Sequence, residues 1–103
     1  MKEKRKHERV SKTLKSEVHG PDAVTLSKSA DLSNGGIFIT TPEPLESGSQ
    51  VEMSLYIPGE EPIRLKGVVM WKRENESDEQ KAGMGIEFLQ LDGPDAEKIK
   101  KML

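Results

Sequence analysis

Apolar and polar positions alternate along much of the chain. Val51, Met53, Leu55 and Ile57 are separated by Glu52, Ser54 and Tyr56. A period of two sustained in this way predicts a strand with one buried face and one wet face. Pro58-Gly59-Glu60-Glu61-Pro62 then turns the chain, and Ile63, Leu65, Val69 and Trp71 share a face opposite Arg64, Lys66, Met70 and Lys72. On this pattern Trp71 belongs to the core side, and Gly67 marks a bulge or bend. Met84, Ile86 and Phe88 alternate with Gly85 and Glu87 as a last strand, in which the glycines of Gly83-Met84-Gly85 are a feature of the pleat. Weaker alternations occur at Leu14, Ser16 and Val18, at Val24, Leu26 and Ala30, which are read as facing inward, and in the β-branched and aromatic run Ile37-Phe38-Ile39-Thr40. Asp92-Gly93-Pro94 has the form of a helix start, followed by an apolar stripe of Ala96, Ile99, Met102 and Leu103. Six short strands joined by Gly/Pro turns, with one terminal helix, predict a mainly β fold, an antiparallel barrel or sandwich. The helix is expected to plug one end or pack across the sheet.

Composition narrows this picture. At 103 residues the chain is one domain in size. Apolar and charged residues each make up 33%, lean for a core, but the apolar ones are ordered rather than scattered. Without cysteine there are no disulfides, thiolate nucleophiles or zinc–sulfur sites. The N-terminus has no apolar signal core, and the longest apolar run, Val68-Val69-Met70-Trp71, is far too short to span a bilayer. A cytoplasmic location without membrane insertion is the expectation. The net charge of −2 hides an asymmetry: residues 1–9 hold five Lys/Arg against two acids, and the other 94 residues hold 11 bases against 16 acids. An acidic body repels a nucleic-acid backbone, so a polymer is excluded as the partner and a small anion gripped by the arm fits better. Residues 1–10 are accordingly read as a basic ligand-gripping arm, and residues 11–103 as a β-barrel with a C-terminal helix.

Enzyme signatures are absent. His7 and His19 have no paired ligand at metal spacing, Ser33 lies outside a G-x-S-x-G elbow, and no phosphate-binding loop precedes a helix. Binding chemistry is better represented. Asp31-Leu32-Ser33-Asn34-Gly35-Gly36 places a carboxylate, a hydroxyl and two bare glycines before a strand. Asp31 can accept from the N1 and N2 donors of guanine, Ser33 can bond a base or a phosphate, and Gly36 lets backbone approach closely. Arg5 and Arg9, four residues apart in the arm, carry forks matched to phosphate oxygens. Together these parts describe a guanine-plus-phosphate site.

With these residues in hand, the chain resembles the PilZ domain family, bacterial receptors for cyclic di-GMP. Arg5-Lys6-His7-Glu8-Arg9 matches the family's R-x-x-x-R, and Asp31-Leu32-Ser33-Asn34-Gly35-Gly36 matches its [Asp/Asn]-x-Ser-x-x-Gly. Gly36-Ile37-Phe38-Ile39, Val69-Met70-Trp71 and Gly83-Met84-Gly85-Ile86-Glu87-Phe88 look like its structural signatures. The resemblance implies a six-stranded antiparallel PilZ-type β-barrel with a short C-terminal α-helix. It also implies a binding protein rather than an enzyme, with cyclic di-GMP as ligand and no other cofactor. The implied ligand residues are Lys4, Arg5, Arg9, Asp31, Ser33, Gly35 and Gly36. Family members take one ligand or a stacked pair, and Lys4, just before the first motif arginine, favours the pair. With no output domain in the chain, an effector protein is expected as partner, reached through ordering of the arm on binding. The competing reading is a PilZ-like protein–protein interaction module that binds no nucleotide. A single-strand binder of the OB type is disfavoured by the few aromatics and the acidic body.

Overall fold

The structure, a computed structural model, describes residues 9–12, 14–28, 30–33, 35–75, 81–89 and 93–102. The strands are β1 (Arg9–Lys12), β2 (Lys15–His19), β3 (Val24–Ser27), β4 (Ala30–Ser33), β5 (Gly36–Thr40), β6 (Gln50–Tyr56), β7 (Ile63–Arg73) and β8 (Gly83–Leu89), followed by helix α1 (Gly93–Met102). All pairings are antiparallel, and the strand order is β1-β4-β5-β8-β7-β6-β2-β3. The mainly β class, the antiparallel pairing and the terminal helix agree with the sequence reading.

The strand count and the closure do not. Eight strands replace six, and the sheet is open, ending at β1 and β3 with no closing ladder among the described residues. Two segments account for the difference. Arg9–Lys12, whose first two residues are read as the end of the arm, forms a strand because β4 supplies its ladder. Ala30–Ser33, read from Asp31 onward as turn chemistry, forms a strand held between β1 and β5. Its alternation is carried by one apolar residue, Leu32, fully buried between the half-exposed Asp31 and Ser33. Pairing overrides the modest local propensity. Only two residues separate β1 from β2, and two separate β3 from β4, yet each pair spans opposite ends of the sheet order. The sheet must therefore curl until its two ends meet through the chain.

The curl encloses the core. Val18, Leu32, Ile39, Met53, Leu55, Ile63, Val69 and Met84 are at most 1% exposed, and they are the alternate residues of their strands. Helix α1 adds Ile99, which is wholly buried in the same cluster. Pro94 occupies its first turn, where a missing N–H costs nothing. Lys98 of α1 lies 3.9 Å from Glu60 in the β6–β7 turn, so the helix sits against that end of the sheet. The turn itself is type II: the amide of Glu60 donates to the carbonyl of Ile57 at 3.0 Å. Pro58 takes the position that favours its fixed φ, and Gly59 the left-handed one, at φ 81°.

Strand β7 departs from the simple alternation. Gly67 is no bulge: it is in register with Val51 and Phe88. A Cβ there would fall 2.6 Å from Cγ2 of Ile86 and 2.9 Å from the carbonyl oxygen of Glu87, so glycine answers a close approach of β8. The shift in register lies between Val69 and Trp71, with Met70 as the extra residue. An extra residue inverts the faces beyond it. Trp71 consequently leaves the core side and is 43% exposed, contrary to the alternation reading. The faces of β3 are also reversed from that reading: Val24 and Leu26 are exposed, and Thr25 and Ser27 are buried.

Candidate functional site

The outer face of β4, β5, β8 and β7 carries one cross-strand row. Asp31 is opposite Phe38, Phe38 is opposite Gly85, and Gly85 is opposite Trp71. Glycine in the third place is what lets the row form. A Cβ on Gly85 would overlap the indole of Trp71, and one on Gly83 would overlap the ring of Phe38. Across this bare strip the two aromatics stack, with ring centroids 5.3 Å apart and planes 20° from parallel, within the range of favourable offset stacking. The Arg73 guanidinium lies 5.3 Å from both ring centroids, a cation–π distance. Its Nη1 donates to the carbonyl of Lys81 at 3.0 Å, which fixes the fork beside the platform. The Gly83-Met84-Gly85 spacing is thus a seat for aromatic rings as well as a feature of the pleat.

The β4–β5 turn forms the other side. Ser33 Oγ donates to the carbonyl of Gly36 at 3.1 Å, and the amide of Phe88 donates to the carbonyl of Gly35 at 3.0 Å. Neither glycine has a positive φ. Gly36 is required for another reason: a Cβ would collide with the carbonyl oxygen of Ile86 on β8. Gly35 has open space around its missing Cβ. Between turn and platform runs a cleft of about 260 Å³, lined by Asp31, Ser33, Gly36, Phe38, Trp71 and Glu87 among others. Its chemistry is two carboxylates, a hydroxyl, exposed backbone and a flat aromatic wall. That combination suits a planar heterocycle with N–H donors on its edge.

Strand β1 brings the backbone of Arg9 alongside the motif strand β4. Arg9 is the register partner of Ser33, and Ser11 that of Asp31, so the strand beginning at Arg9 runs along the motif strand. Arg5 and Lys4 lie outside the described residues. Beyond Trp71, Lys72 Nζ bonds Glu46 at 2.8 Å and Glu74 at 2.7 Å. These bonds, the one to Glu46 first, raise its pKa above the ordinary lysine value despite some desolvation, and they tie the loop after β5 to the end of β7. Of the sequence-derived candidates, Asp31, Ser33, Gly35 and Gly36 share the cleft. Phe38, Arg73 and Glu87 were not singled out from the sequence. The signal available for Phe38 was the pair of glycines on its neighbouring strand. A larger concavity of about 570 Å³ on the outer face of β2, β6 and β7 is lined by Glu17, His19, Tyr56, Arg64 and Lys66 among others. Its mixed charges and lack of a flat apolar wall single out no ligand.

Known proteins agree with this architecture. The structure of the Bacillus subtilis inhibitor of motility, MotI/DgrA, superposes with a TM-score of 0.75 at 22% identity, over 97% of this chain and 49% of that one. The likeness is one of fold, and the present chain spans about half of that protein's length. No curated protein matches the sequence. The family model for the PilZ domain matches residues 3–103, which takes in both the arginine pair and the Asp31–Gly36 turn, and the chain therefore belongs to the PilZ domain family.

Proposed function

We propose that the chain is a receptor for cyclic di-GMP, a binding module rather than a catalyst, which works in the cytoplasm through an effector protein. The observation that carries this reading is the outer-face cleft in which Asp31 and Ser33 face an exposed aromatic platform, with Arg9 in register beside them. Each part has a role. Asp31 accepts from the N1 and N2 donors of a guanine, and the exposed face of Trp71 stacks a base. The arginine forks of the arm take phosphate oxygens. Lys4 stands where an apolar residue would favour close packing on a single ligand, so two per chain are expected.

Calorimetry with cyclic di-GMP tests the reading, with cyclic di-AMP as control because adenine lacks the N1 and N2 donors. Saturable binding of the first and not the second is the expected result. Binding of neither would leave an interaction module that binds no nucleotide. Asp31→Ala is expected to weaken binding by about 1–3 kcal/mol, the scale of one good base-reading contact, with the fold retained. Wild-type affinity in that variant would remove Asp31 from base recognition.

A further inference from the structure

The aromatic platform has a seat but little wall. Gly83 and Gly85 carry no side chain beneath the rings, Trp71 is exposed, and Phe38 is half-buried. A stacked pair alone is a weak restraint at such a surface. Arg73 adds a second one. It is the register partner of Gly83, two residues beyond Trp71 on the same face of β7. Its guanidinium carbon lies 5.3 Å from the Phe38 centroid and 5.3 Å from the Trp71 centroid. The two centroids are themselves 5.3 Å apart, so the cation bridges the two rings and favours neither.

The charge of Arg73 is left for the rings. Its neighbour Lys72 takes the carboxylates of Glu46 and Glu74. Arg73 forms no ion pair among the described residues, and its Nη1 donates to the carbonyl of Lys81 at 3.0 Å instead. That bond ties the fork across to the start of β8 and keeps the cation on the aromatic pair. Phe38 and Trp71 line the cleft, and Arg73 does not. The guanidinium therefore touches the platform from outside the space that a ligand would fill.

We propose that Arg73 is a positioning residue for the cleft: through its paired contacts with Phe38 and Trp71 it holds the platform in place for a stacked base. This role rests on the cyclic di-GMP reading and adds to it a residue that acts through the rings. Arg73→Gln keeps an amide donor for the Lys81 carbonyl and removes the cation. Its dissociation constant for cyclic di-GMP should rise about three- to tenfold, the scale of a lost cation–π contact, with the circular dichroism spectrum unchanged. Indole emission, which Trp71 alone supplies, should shift to the red in the free variant. Arg73→Lys restores a cation and should recover part of both effects. In a Trp71→Leu background, Arg73→Gln should change affinity by less than about twofold, because its effect passes through the ring. An undiminished effect there would make Arg73 a direct ligand contact and overturn the proposal, as would wild-type affinity or wild-type emission in Arg73→Gln. A wild type that binds no cyclic di-GMP overturns the receptor reading and this role with it. A wild type that binds, with Arg73→Gln binding equally well, removes Arg73 alone.

Discussion

Gly36→Ala should cost about 1–3 kcal/mol of stability, the usual cost of overfilling a packed site, whereas Gly85→Ala should cost less and damage the cleft more. The difference lies in what each new methyl group meets. At Gly36 it meets the carbonyl oxygen of Ile86, a backbone atom of the β5–β8 ladder. That atom can retreat only if the two strands part, and the strands hold Ile37, Ile39, Met84 and Ile86 in the core. At Gly85 the methyl meets the indole of Trp71, a side chain 43% exposed to solvent. The ring can swing outward, and in doing so it abandons Phe38 and the cleft wall.

Two measurements separate these outcomes. Urea denaturation should show a lower midpoint for Gly36→Ala and a nearly unchanged one for Gly85→Ala. Indole fluorescence, which Trp71 alone supplies, should shift to the red in Gly85→Ala and not in Gly36→Ala. A Gly36→Ala variant as stable as wild type would mean that the glycine of the motif serves the ligand only. An unshifted spectrum in Gly85→Ala would show that the aromatic platform does not depend on the bare strip beneath it.

The contrast marks what was legible from residues alone. β6, β7 and β8 bury one face, and their alternation gave them away. The Asp31–Gly36 stretch was legible as a candidate site because a carboxylate, a hydroxyl and glycines stand together in it, and the fold brings Asp31, Ser33, Gly35 and Gly36 to one cleft. Trp71 was misplaced because nothing in Val68-Val69-Met70-Trp71 signals an extra residue: all four are apolar, so a shift of phase leaves the pattern looking unbroken. β1 and β4 were missed for the opposite reason. Their residues are mostly polar, and each draws a ladder from the other, a pairing that neither segment's own pattern reveals. The Phe38–Trp71 platform depended on both, since it needs the bulge that turns Trp71 outward and the register that sets Phe38 across Gly85. Neither is a local property of the chain.

Loss of both arm arginines should abolish measurable binding of cyclic di-GMP, and neither single loss should. Arg9 begins β1 and is the register partner of Ser33, so its backbone is already placed by the sheet. Arg5 lies four residues upstream and can reach the same ligand only if the intervening backbone is held. Holding it costs roughly 1–2 kcal/mol per residue in conformational entropy, and a charge-assisted bond to phosphate returns about 1.5–3 kcal/mol. One arginine therefore offsets the ordering of only one or two residues, and the arm is held when both engage. Arg9→Ala and Arg5→Ala should each weaken binding by about 10- to 100-fold on that scale, and added salt should weaken the wild type in the same direction. Trypsin offers a check independent of affinity. Cleavage after Lys6 should slow markedly at saturating ligand, while cleavage after Arg9, already paired in β1, should change less. If the double Arg5→Ala/Arg9→Ala variant binds within about threefold of wild type, less than one kcal/mol, the phosphates are held by other groups. The Arg73 fork beside the platform would then be the first to replace.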